Sequence, residues 1–152
     1  MNPVERAIIE LGGIASAAEI LQRRCTRDMI KLFSEYGAVR RIRNGWYASP
    51  ELPDDSFRAW KAGGRLTCIS AAVHLGLWTE TATETDTETK PVHVRVAANA
   101  SRVERSAGVV LHWSRKPATG TRLVVSLEEA LETIRRCQPP DVFHAIRRAA
   151  NR

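Results

Sequence analysis

At 152 residues, the chain has room for one ordinary domain or two very small ones, and its 43% hydrophobic and 26% charged residues are those of a soluble globular protein. It holds no apolar run of about 18 residues and no basic start leading into an apolar stretch, so neither a membrane span nor a signal peptide is expected and a cytoplasmic location is. The formal charge of +6 and pI near 9.8 favour an anionic partner without saying which one.

Asn2-Pro3 pairs a capping residue with proline at the first helical position, and Val4, Ala7, Ile8 and Leu11 recur at helical spacing up to Gly12-Gly13. Ser16-Ala-Ala-Glu19 then matches the capping box and opens a short second helix with Ile20 and Leu21 inward, ending near Arg23-Arg24. After a brief turn Thr26 caps a third helix. Its apolar face is assigned to Met29, Ile30, Leu32 and Phe33, which leaves Arg27, Lys31 and Ser34 outward. Gly37 suits a left-handed helix end. From Val39 to Ala48 the chain reads as a hairpin turned at Asn44-Gly45, with Trp46 and Tyr47 divided between core and surface.

Two helices joined by a turn and followed by a hairpin make a winged helix-turn-helix over residues 1–50. Between Arg23 and Arg43 seven basic residues face only Asp28 and Glu35, so the basic charge is concentrated on this unit. An α-helix fits the major groove of duplex DNA, and a basic hairpin beside it reaches phosphates or the neighbouring minor groove. Arg27 and Lys31 are therefore expected at base edges, Thr26 and Ser34 at phosphates, and Arg40, Arg41 and Arg43 along the backbone. Arg24 in the turn and Asn44 at the hairpin tip complete the expected DNA-contacting set.

Residues 51–78 read as connecting helices. Asp54-Asp55-Ser56 starts one that carries Phe57, Trp60 and Lys61 and stops at Gly63-Gly64. Leu66 to Trp78 is apolar nearly all round apart from His74, a buried helix packing the winged unit against the C-terminal part of the chain, with His74 as a packing residue. Thr79 to Thr89 holds only threonine, alanine and four acids, and residues 79–90 are expected as a flexible acidic linker or loop.

Residues 91–152 form a C-terminal α/β regulatory or interaction domain on this reading. Pro91 to Ala97 alternates as a half-buried strand, Gly108 to Ser114 is a second and Leu123 to Val125 a third, together a short antiparallel sheet. Ser126-Leu-Glu-Glu129 is a second capping box, opening a helix with Leu127, Ala130, Leu131 and Ile134 inward. Pro139-Pro140 breaks it, and Asp141 caps a last helix that turns Arg147, Arg148 and Arg152 outward. The expected class is α+β, a winged helix-turn-helix followed by a small domain of a short sheet and two helices.

No phosphate-cradling glycine loop, HExxH, GxSxG or nucleophile–histidine motif is present, so no catalytic residue is assigned and no enzyme is expected. Cys25, Cys68 and Cys137 are odd in number, widely spaced and without a CxxC pair, and they read as buried thiols. His93 and His112 fall on strands that would bring two imidazoles together, with Cys137 or Glu104 near them, but the reading adopted is two ordinary surface histidines. No metal and no cofactor is therefore expected.

The runs GGIASAAEI, YGAVRRIRNGWYAS and AWKAGGRLTCISAAVHLGLW resemble the N-terminal part of the AbiEi family of type IV antitoxins and related winged-helix regulators. The likeness covers Gly12 to Trp78 and is most specific at Gly37, Val39 to Tyr47 and Ala62 to Leu77. It continues more weakly through Val92-His93-Val94, Gly108 to Ser114 and Val125 to Leu131. The resemblance implies a transcriptional autorepressor whose winged helix binds operator DNA, with the later domain neutralising a cognate toxin or making another regulatory contact. A phage-type immunity repressor would carry the same DNA module without a toxin. The nuclease-like domain into which many such proteins continue is not expected here. Operators of such repressors are commonly inverted repeats read by homodimers, although no heptad or dimer seam marks this chain.

Overall fold

A computed structural model describes residues 1–79 and 90–152; the acidic segment expected as a linker lies, apart from Thr79 and Lys90, outside the described residues. The fold is α+β. It divides into two compact units, Met1–Lys61 and Ala62–Arg152, so the helices expected to connect two domains are shared out between them.

In the first unit α1 (Pro3–Glu10) is held at its start by Asn2, whose side chain accepts a hydrogen bond from the Glu5 amide at 2.7 Å. After β1 (Ile14–Ser16) both halves of the capping box form at α2 (Ala17–Leu21): the Glu19 amide donates to Ser16 Oγ at 3.1 Å and the Ser16 amide to Glu19 Oε1 at 3.0 Å. A cap of this kind contributes about 1 kcal/mol. Next come α3 (Arg27–Glu35), β2 (Arg40–Arg43), β3 (Trp46–Ala48) and α4 (Asp54–Ala62). The sheet order is β1-β3-β2, antiparallel throughout, so Ile14–Ser16 adds a strand beyond the expected hairpin. Val4, Ala7, Ile8, Ala15, Ile20, Cys25, Ile30 and Val39 form the core beneath it.

Two aromatic contacts bind α4 to this sheet and explain why it belongs with the winged unit. Trp46 on β3 meets Trp60 with ring centroids 4.7 Å apart, and the Arg40 guanidinium of β2 lies 3.9 Å from the Phe57 ring centroid.

The second unit contains β4 (Arg65–Leu66), α5 (Cys68–His74), β5 (Val92–Ala97), β6 (Val109–Ser114), α6 (Leu127–Cys137) and α7 (Pro140–Ala150). Its sheet is mixed rather than antiparallel: β4 runs antiparallel to β5, but β5 and β6 are parallel, in the order β4-β5-β6. The physical cause is the long connection over residues 98–108, which carries the chain back to the starting end of β5 instead of turning it in a tight hairpin. The expected third strand at Leu123–Val125 is reduced to a single parallel bridge between Leu66 and Val124.

As the middle strand, β5 is buried at His93 and Arg95 as well as at its valines, which corrects the half-buried reading. His93 is thus no surface residue, and of the three cysteines Cys25 and Cys68 are buried whereas Cys137 is exposed. Only half of the second capping box forms. Ser126 Oγ accepts from the Glu129 amide at 3.2 Å, but the Ser126 amide donates to Thr119 Oγ1, and the Glu129 carboxylate instead accepts from Thr119 and lies 3.9 Å from Arg95 Nε. Pro140 takes the first position of α7, which leaves Asp141 within its first turn rather than at the cap.

Gly64 does more than stop a helix. A Cβ at this position would meet the Arg95 carbonyl oxygen at 1.9 Å, so the backbone of β5 can approach only because no side chain is there. Gly64→Ala is expected to destabilise the folded chain by about 1–3 kcal/mol, read as a fall in the urea midpoint at unchanged slope; an unaltered midpoint would contradict the close approach.

Candidate nucleic-acid interface

The turn over residues 22–26 is pinned by the buried Cys25 and includes Arg24 in a left-handed conformation, φ 61°. It delivers Thr26 to the start of α3, where Thr26 Oγ1 accepts from the Met29 amide at 3.1 Å. One face of α3 is fixed inward by Ile30, with Met29 and Phe33 partly buried beside it. Asp28, Lys31, Leu32 and Glu35 are exposed along the other side, and Arg27, the first residue of the helix, is exposed at its flank.

Two assignments on this helix change. Ser34 lies four residues after Ile30, about 40° round the helix, and so shares the buried stripe. Its Oγ is enclosed without a hydrogen-bond partner, which removes it from the phosphate contacts expected of it. Leu32 stands about 200° from Ile30 and is 45% exposed, so it belongs to the outer face and not to the core. Tyr36, 79% exposed just beyond α3, was also missed; a large apolar residue left in water at the end of a basic helix is the signal that points to it.

In the hairpin, Gly45 supplies the left-handed turn residue (φ 79°), and an irregularity between Arg41 and Arg43 interrupts the β2–β3 register at the buried Ile42. Arg41 is exposed, and its Nη2 donates to Asn44 Oδ1 at 3.1 Å across the turn. Arg43 is half-buried opposite Trp46. Arg40 points elsewhere: its guanidinium stacks on Phe57 of α4. The expected set thus separates into Arg24, Thr26, Arg27 and Lys31 on and before α3, Arg41, Arg43 and Asn44 at the hairpin, Arg40 braced against α4, and Ser34 enclosed.

Net charge does not single out this unit. Met1–Lys61 carries ten basic and eight acidic residues, against thirteen and nine in Ala62–Arg152, so the basic excess of the first unit is a local feature of the turn, α3 and the hairpin. No family model matches the chain, and no curated protein matches it.

Removing the stacked cation should weaken the first unit itself. Arg40→Ala is expected to lose about 0.5–1 kcal/mol of stability, measured by urea denaturation, whereas Arg40→Lys retains part of it; equal stability of all three proteins would show that the contact contributes nothing.

Proposed function

We propose that the protein is a sequence-specific DNA-binding transcriptional repressor, an antitoxin-like autoregulator or phage-type immunity repressor, that reads operator DNA with α3 and clasps it with the β2–β3 wing. The observation that carries this reading is the outward face of α3, with Arg27 and Lys31 in solvent, followed in the same small unit by a hairpin with Arg41 exposed beside its turn. A helix so presented fits a major groove, and the likeness of this region to AbiEi-type regulators points the same way. On this reading Arg27 and Lys31 contact base edges, Thr26 and Arg24 sit at phosphates beside the helix start, and Arg41, Arg43 and Asn44 hold the backbone next to it.

A second reading gives the C-terminal unit a protein partner, a toxin or other factor that it neutralises. What favours it is β6, the outer strand of its sheet, on which Val110 and Trp113 are 38% and 47% exposed. An extended segment added to that edge would gain main-chain hydrogen bonds and two apolar contacts.

Gel retardation of the upstream region of the protein's own gene against random duplex of equal length tests the first reading. Arg27→Ala is expected to reduce the preference for operator over random DNA by about 5- to 150-fold, equivalent to about 1–3 kcal/mol. Arg41→Ala should weaken binding to every sequence alike and lower the salt slope by about one unit. Ser34→Ala should leave both quantities unchanged. Equal affinity for all duplexes defeats the repressor reading, and co-purification of a protein with the full chain, lost on Trp113→Glu, would favour the second.

A further inference from the structure

Four metal-ligating side chains that are far apart in the sequence meet in the C-terminal unit. Cys68 is the first residue of α5, His93 is on β5, His112 on β6 and Cys137 is the last residue of α6. One ligand atom from each lies within 4.8 Å of all the others. His93 Nδ1 and His112 Nε2 are 2.9 Å apart, and Cys137 Sγ is 3.9 Å from His93 Nδ1. Around a tetrahedral zinc ion, metal–sulfur and metal–nitrogen bonds of about 2.3 and 2.0 Å put neighbouring ligand atoms roughly 3.3–3.8 Å apart. The quartet brackets that spacing, so small side-chain movements close it on an ion.

We propose that Cys68, His93, His112 and Cys137 bind one zinc ion in a closed tetrahedral site of two sulfurs and two nitrogens. Two thiolates with two imidazoles are a donor set that selects zinc among the common divalent ions, and four protein ligands leave no position open for a substrate. The site therefore ties elements together and performs no reaction.

The scaffold holds these ligands in place independently of any ion. The Thr67 amide donates to the His93 carbonyl at 3.0 Å and the His93 amide donates to Ser70 Oγ at 2.9 Å, which locks the start of α5, and Cys68 with it, against β5. Cys68 itself has φ 54°, a left-handed value that a non-glycine residue adopts at a cost and that clusters at functional sites. The parallel register pairs Arg95 with His112, so the two histidines stand diagonally on adjacent strands and their rings stack at 5.2 Å. Gln138 Nε2 lies 3.8 Å from Cys68 Sγ and 3.7 Å from Cys137 Sγ, within reach to donate to both sulfurs once they are thiolates. Exposure of Cys137, and a groove walled in part by His112 and Cys137, give an ion its way in.

Proton chemistry agrees with this geometry. Burial and the neighbouring His112 hold His93 down at about 4, and burial lowers His112, so both imidazoles are neutral and able to ligate at pH 7. Burial, with Cys137 close by, pushes the Cys68 thiol up to about 12, so it stays protonated until an ion takes the proton's place. Loading puts the ion on both sulfurs as thiolates, sends the Cys68 proton to solvent and changes no oxidation state.

The full chain, purified under reducing conditions, is assayed for zinc content and titrated with zinc and with cobalt(II). One ion per chain is expected, with the visible bands of tetrahedral cobalt and thiolate-to-cobalt charge transfer in the near ultraviolet. Cys137→Ser, at an exposed helix end where folding is retained by circular dichroism, should lose stoichiometric binding, and Gln138→Ala should bind zinc about 10-fold more weakly. Cys25→Ala, in the other unit, should bind as the parent does. A folded parent chain that takes up neither metal overturns the proposal, as does metal uptake that survives Cys137→Ser or a Cys68–Cys137 disulfide found in the reduced preparation. None of these readouts involves DNA, so zinc binding and operator binding stand or fall separately.

Discussion

Ile30 sets the roll of α3 about its own axis, and the reading of this protein as a DNA-binding one depends on that. It is 4% exposed, in contact with the cluster of Val4, Ile8, Ile20 and Val39, and burial of a side chain of this size contributes about 1.5–3 kcal/mol. Turning the helix by one residue, about 100°, would bring Ile30 into water and drive Lys31 into the core, where its charge would have no partner. The inward residue therefore determines the outward ones. Lys31 reaches solvent because Ile30 cannot, and the same constraint explains why Leu32 is outside and Ser34 is not; Arg27, about 60° round from Ile30, is exposed as the first residue of the helix.

With basic and acidic residues nearly balanced in the first unit, any affinity for a polyanion must come from arrangement. Asp28 and Glu35 share the exposed side of α3 with Arg27 and Lys31. Two acids there would repel a phosphate backbone laid along the helix, while an acidic side chain can accept a hydrogen bond from a cytosine amino group at a groove floor. On the proposed reading the helix favours base edges over phosphates, and the phosphate contacts fall to the turn and the hairpin. The Arg41–Asn44 hydrogen bond fits that division, since it holds an exposed guanidinium at the tip before any partner arrives and lowers the side-chain entropy lost on binding.

Legibility in the sequence followed the range of the interactions involved. Asn2, Ser16, Thr26 and Ser126 cap helices where the sequence puts them, because a cap depends on residues three positions away. Gly37 and Gly45 have the expected positive φ for the same local reason. Strand partners were less readable. Ile14–Ser16 is too short to announce itself, and the parallel pairing of β5 with β6 depends on where a long connection returns the chain. Ser34 was misplaced although its position was available: four residues from Ile30 is a spacing that predicts the buried side. Arg40 also shows the limit of composition, since a basic run does not reveal which of its members has an aromatic ring waiting on another element. Of the proposed metal-ligand quartet, the strands place His93 and His112 together with Cys137 near them, but Cys68 is not legible, as the four come one each from four elements and no short spacing joins any two.

That dispersion is itself an argument about what such a cluster does. Paired ligands in one loop organise that loop, whereas ligands taken singly from α5, β5, β6 and α6 organise the packing of a helix pair on a sheet. The second unit has reason to use the device. Its strand β4 has two residues, and α5, with seven, is well below the length at which a helix is stable by itself. A closed ion at this point adds a cross-link among elements already joined by the buried cluster of Cys68, Ile69, Ala72, Ile134 and Ile146 and by the β5–β6 register, and it does so only after those elements have brought two thiols within reach. On the proposed reading an ion stabilises a geometry that the hydrogen bonds at Thr67 and Ser70 set before it arrives, so loading adds to the stability of this unit without being the condition for its folding.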